Sequence, residues 1–178
     1  MVVGGIFLVI FVALLIAARA AGSSTGGQPV ASIRCQANEQ LAVHFHAHLT
    51  LIYKGQPAAI PDGVGRRSDC LYWMHTHSTS GIVHVEAPRE AATRVYTLGD
   101  FFAVWGQPLS GKQVATFKVG AGDSVKTWVD GQPYTGDIAK VPLKIHTQVV
   151  VEIGPQFVDP PGFDWNSQTA VQEAGTGG

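Results

Sequence analysis

The chain has 178 residues, a formal net charge of −1 and 46% hydrophobic residues. That length holds one ordinary domain and is short for two. The balanced charge, with no run of Lys or Arg, excludes an electrostatic footprint for nucleic acid, and no P-loop, dinucleotide fingerprint or Gly-x-Ser-x-Gly elbow is present.

Residues 2–18 form an uncharged apolar run ended by Arg19. A run of this length sits at the lower edge of what spans a bilayer as a helix. Residues 1–21 are therefore expected to be a transmembrane anchor or a signal sequence, and residues 22–30, rich in Gly and Ser, a flexible linker. Ala18-Arg19-Ala20 offers small residues for cleavage before Ala21. Against cleavage, the apolar run is longer than a usual signal core and no Lys or Arg precedes it. The missing charge leaves orientation weakly specified and suggests a start upstream. Both readings export the domain, to the periplasm or cell exterior. It stays on the membrane if the segment is retained and is secreted if it is cleaved.

The only two cysteines, Cys35 and Cys70, stand just ahead of strand-like segments. In an oxidising compartment an isolated pair is most simply a disulfide. A loop of this size closed by one gains about 4 kcal/mol in the chain-entropy view. Cys70 as a copper thiolate is the competing reading, given the gap from Cys70 to His75. A blue-copper site also wants a Met after that His, and Met74 precedes it. The disulfide is preferred.

Period-two patterning dominates residues 31–154, the expected β-rich metal-binding domain. Residues 41–53 alternate throughout, with Val43, Phe45, Ala47, Leu49, Leu51 and Tyr53 on one face and His44, His46, His48, Thr50 and Ile52 on the other. A turn at residues 54–57 leads to a return strand from Ala58. Further strands are expected at 71–76, 82–87, 94–97, 115–119, 125–129 and 148–153, with Asp130-Gly131 as a hairpin turn. Residues 97–106 break the pattern. Thr97 is an N-cap candidate, Asp100 an acid in the first turn and Gly106 a terminator, while Leu98, Phe101, Phe102 and Trp105 recur at helical spacing. The expected fold is mainly β, a small sandwich or partly open barrel with one short helix. A β-grasp-like α+β arrangement is the alternative. Residues 155–178 form a Pro/Gly-rich tail whose last eight residues carry a disordered composition.

Six of the seven histidines fall between positions 44 and 84, as His44-x-His46-x-His48, His75-x-His77 and His84-x-Glu86. Residues two apart on a strand share a face at roughly 7 Å, so their side chains can converge on one ion with an N-donor preference. A disulfide between Cys35 and Cys70 would bring the lead-ins to the first two His strands together. An ordinary polar strand face mixes Thr, Lys, Ser and Glu, whereas positions 44, 46 and 48 are all His. The same residues also suit a pH switch that needs no metal. Glu86 can be a ligand, an acceptor that fixes a His tautomer, or a general base. His146 stands alone and reads as a surface or hydrogen-bonded residue.

His44-Phe-His-Ala-His-Leu49, Cys70-Leu-Tyr-Trp-Met-His-Thr-His77, Gly81-Ile-Val-His-Val-Glu86 and residues 97–106, in this order, resemble a family of uncharacterised, membrane-anchored or exported prokaryotic proteins. That resemblance implies relatives and no activity. His75-x-His77 followed by Glu86 is only loosely similar to a cupin metal motif. Glu86 lies too far downstream for it, and a second cupin block is absent.

Three functions remain open. The first is a metal-binding module that captures, transfers or senses Cu(II) or Zn(II). The second is a metalloenzyme with an open His-rich site, and the third an accessory subunit of a membrane complex. A Mg or Ca site would need more carboxylates than Glu86, and the scarcity of Met argues against a thioether Cu(I) carrier. No Ser, Lys or acid–base pair beside the cluster marks a catalytic arrangement.

Overall fold

The computed structural model describes residues 27–175. The expected anchor or signal at residues 1–21 lies outside them. Among the described residues no helix is long and apolar enough to cross a membrane.

The chain is mainly β. Its strands, in order, are β1 (Cys35–Gln36), β2 (Val43–Tyr53), β3 (Gln56–Ala58), β4 (Leu71–Tyr72), β5 (Met74–His75), β6 (Ile82–Ala87), β7 (Tyr96–Thr97), β8 (Leu109–Ser110), β9 (Gln113–Val114), β10 (Phe117–Lys118), β11 (Ser124–Val129), β12 (Gln132–Tyr134), β13 (Pro142–Leu143) and β14 (Gln148–Gly154). Helices α1 (Leu98–Trp105) and α2 (Gln168–Gly175) accompany them. One sheet dominates, in the order β12-β11-β14-β2-β6-β5, with β3 also paired to β2. Only β14 and β2 run parallel in it. Among the described residues no barrel closes: the remaining strands make small sheets of two or three.

Two turns set the hairpins. Lys54-Gly55 and Asp130-Gly131 all have positive φ, between 50° and 77°, as a two-residue turn joining right-twisted strands requires. Helix α1 has the boundaries its sequence signals. The Thr97 hydroxyl accepts from the Asp100 amide while the Asp100 carboxylate accepts from the Thr97 amide, and Gly106 ends the helix in the left-handed region.

The alternation of β2 divides the molecule. Ala47, Leu49 and Leu51 join Val83 and Val85 of β6, Val149 and Val151 of β14, and Leu98, Phe101 and Phe102 of α1 in the main core. Each large apolar side chain removed from water there contributes about 1.5–3 kcal/mol. The opposite face carries the histidines. It is not left to solvent, and every residue of β6 is buried.

What covers it is the segment after β14. Phe157 packs with Ile52, Trp128 and Val150, and the Val158 amide donates to Glu152 Oε2. Gln148 and Phe163 exchange two hydrogen bonds, at 2.7 and 3.2 Å. Ser167 then caps α2, its Oγ accepting from the Ala170 amide. The expectation of one helix and a structureless end is thus corrected. Residues 168–175 are helical, and Ala170 and Glu173 are buried against the sheet.

The segment expected as one strand at 71–76 is two. The chain changes sheets at Trp73: Tyr72 pairs with Cys35 of β1, whereas His75 pairs with His84 of β6. The Cys35–Cys70 disulfide, with Cα atoms 5.4 Å apart, ties β1 to the entry of β4.

Candidate metal centre

β6 lies between β2 and β5, and its register decides which donors meet. His44 is opposite Glu86, His46 is opposite His84, and His75 faces His84 from the other side. All share the face away from the main core. His77 follows β5 and returns its ring to His75, Nε2 to Nε2 at 3.0 Å. His44 Nε2 is 3.2 Å from His46 Nε2, which is 3.1 Å from His84 Nδ1. Two groups therefore converge: His75, His77, His84 and Glu86, and His44, His46 and His84, the donor atoms of each lying within 4.8 Å of one another. These clusters can hold a metal ion.

Six of the seven proposed ligands are thus together. His48 is not among them. Its Nε2 donates to the Ser80 carbonyl at 3.0 Å, and its ring stacks on Phe163 at 3.8 Å. Gly81, at φ 88°, permits that approach, because a Cβ there would meet the Leu49 carbonyl and His48 Nε2. His146, left outside by its isolation in sequence, is exposed and stacks on Trp165 at 4.3 Å.

One tautomer follows from geometry. His75 Nδ1 is 3.0 Å from the Tyr72 carbonyl, which can only accept. The proton therefore sits on Nδ1, and the Nε2 lone pair faces His77 and, at 3.7 Å, Glu86 Oε1. A backbone acceptor behind an imidazole is the usual way of aiming its free nitrogen at an ion.

Glu86 is the hub. Its Oε1 is 3.4 Å from His84 Nδ1 and 3.7 Å from both His44 Nε2 and His75 Nε2. Its side chain is 1% exposed, and neither oxygen has a well-aligned hydrogen bond among the described residues. Burial would raise this carboxyl's pKa, but His84, then His75 and His44, hold it below the ordinary value. The imidazoles shift the other way. Burial, then His84 and His44, lowers His46 to about 4. Burial takes His75 to about 3, with Glu86 opposing and His84 and His77 adding to the fall. His77 is lowered by burial and then by His84. At neutral pH these three rings are uncharged bases beside an ionised carboxylate, the protonation state a dication needs.

No protein-family model, curated protein or solved structure matches the chain. The chemistry of the centre is read from its own residues.

One contributor carried only a faint sequence signal. Glu173 of α2 places Oε2 3.6 Å from His84 Nε2 and takes a 2.5 Å hydrogen bond from the Ser78 hydroxyl on Oε1. His84 therefore lies between two carboxylates. The signals available were Ser167 as a cap and the three-residue spacing of Ala170 and Glu173, faint against a polar background. Beside the centre, His77 also lines a cavity of about 500 Å³ with Arg66, Arg67 and Asp69.

Proposed function

We propose that this chain is an exported, membrane-anchored protein that binds Cu(II) or Zn(II) through His44, His46, His75, His77, His84 and Glu86. The observation that carries this reading is the Glu86 carboxylate, buried, ionised and without a well-aligned donor among lone-pair-bearing imidazoles. A buried anion of this kind costs several kcal/mol unless a cation compensates it. Imidazole nitrogens with one carboxylate oxygen suit both ions, and N-rich sites favour Cu(II) in intrinsic affinity. The Cys35–Cys70 disulfide fits an oxidising, extracytoplasmic setting, and residues 1–21 would supply the anchor. Capture, transfer or sensing of the ion is the role proposed.

The cavity at His77 favours a second reading, a metalloenzyme. It gives His77 an open side, and a metal held there could supply an activated water while Arg66 and Arg67, which line the same cavity, would attract an anionic substrate. A role as an accessory subunit of a membrane complex has no comparable observation behind it.

The deciding experiment is metal analysis of the full chain, purified without a His tag and reconstituted with Cu(II) or Zn(II). The expected result is stoichiometric metal surviving gel filtration together with a raised melting temperature. No retained metal and an unchanged melting temperature would sink the reading.

A further inference from the structure

The geometry points to a dinuclear centre: one ion on His75, His77 and Glu86, a second on His44 and His46, with His84 between them. This deepens the metal-binding reading and rests on it.

Donor spacing gives the first reason. Two nitrogens on one ion, with bonds of about 2.0–2.1 Å, stand about 2.8–3.4 Å apart at tetrahedral or square-planar angles. His75 and His77 meet that spacing at 3.0 Å, and His44 and His46 at 3.2 Å. Each pair is ready to chelate. No hydrogen bond or ring contact joins one pair to the other among the described residues, whereas His84 and Glu86 touch both.

The second reason is reach. Donors on a single ion cannot be farther apart than about 4.2 Å, twice the bond length. The six donors do not close into one group even at 4.8 Å; two groups do, sharing His84, and Glu86 groups only with His75, His77 and His84. Sheet geometry explains the division. Neighbouring strands are about 4.8 Å apart, so the β2 pair and the β5 side lie on opposite flanks of β6. One ion fits between β2 and β6, the other between β6 and β5.

Glu86 supplies the third reason. A His nitrogen has one lone pair and serves one ion, so His84 Nδ1 completes only one shell. A carboxylate has two oxygens, and both of Glu86's are buried without an aligned donor. Its Oε1 is equally distant, at 3.7 Å, from the nearest nitrogen of each flanking pair. Glu86 does not group with His46, so it would complete the His75–His77 shell and face the second ion only beside His44. His77 also lines the cavity with Arg66, Arg67 and Asp69.

The full chain, loaded to saturation with Cu(II), tests this by metal analysis and electron paramagnetic resonance. Expected are two ions per chain and a spectrum broadened by the neighbouring spin. His44→Ala and His77→Ala, both at partly exposed positions, should each keep one ion and give the unbroadened spectrum of an isolated ion. One ion per wild-type chain overturns the pair and leaves the metal-binding reading standing. Two ions with unbroadened spectra overturn their placement side by side. Loss of all metal from either variant points to a single shared ion and overturns the pair too. No metal at all overturns both readings. The wild-type stoichiometry and line shape need no variant to fold.

Discussion

Glu86 and His84, two residues apart on β6, meet at 3.4 Å between Oε1 and Nδ1, yet neither Glu86 oxygen has an aligned hydrogen bond among the described residues. Glu86→Gln keeps the shape and removes the charge. Metal affinity should fall at least tenfold, about 1.4 kcal/mol, in a competition titration against a chelator. A Glu86→Gln protein that binds as tightly as the parent would remove the carboxylate from the metal site.

The depressed imidazoles set a pH dependence for the metal-free protein. Burial holds the folded-state pKa of His46 at about 4 and of His75 at about 3, and lowers those of His48 and His77. The unfolded chain protonates near 6.5. Above that value both states carry neutral rings and stability is complete. Below it the unfolded state takes up protons that the folded state refuses, so stability falls with pH, by at most about 1.4 kcal/mol per unit for each ring. Glu86, whose folded pKa is below 4.5, adds its own loss only under that value. Urea midpoints in chelator should therefore decline from pH 6.5 to 4.5. A flat profile over that window would show the rings solvated and free to protonate.

Much of this was readable along the chain because it is local and periodic. The alternation of residues 43–53 set which face His44 and His46 occupy, Thr97 with Asp100 and Gly106 bounded α1, and Asp130-Gly131 turned a hairpin. The two cysteines pair as their isolation implied. What was hidden depends on distant contacts. Residues 71–76 look like one strand, but partners in two sheets split them at Trp73. His48 has the same face as His44 and His46, and is drawn off by Ser80 and Phe163. Phe157, Phe163 and Trp165 have no periodic spacing, so nothing local announces that they cover a sheet, and α2 docks through little more than Ala170 and Glu173.

Reduction of the disulfide should loosen the centre from behind. Cys35–Cys70 closes a loop of sequence separation 35 and fixes β1 on β4, immediately before the switch that positions His75. Replacing both cysteines by Ser should cost about 4 kcal/mol in the chain-entropy view, read as a lower midpoint in thermal or urea unfolding. Added reductant should lower the parent to the same midpoint and leave the variant unmoved. A variant as stable as the parent would assign the hold on β4 to hydrogen bonding alone.

The cover over the histidine face makes the last prediction. Phe163 stacks on His48 with the rings 14° from parallel, and its backbone is held by both ends of the Gln148 amide. Removing that ring should cost about 1–3 kcal/mol from lost apolar burial and ring contact. The loss should be local before it is global, because the main core lies on the opposite face of the sheet and does not include Phe163. Phe163→Ala should therefore speed amide hydrogen exchange in α2 and around Ser80 well before it affects Leu49 or Val151. Ser167→Ala, which removes only the α2 cap, should show the same pattern at about 1 kcal/mol. If both variants exchange like the parent, residues 155–175 do not hold the face closed in solution. His84 would then lose its neighbour Glu173.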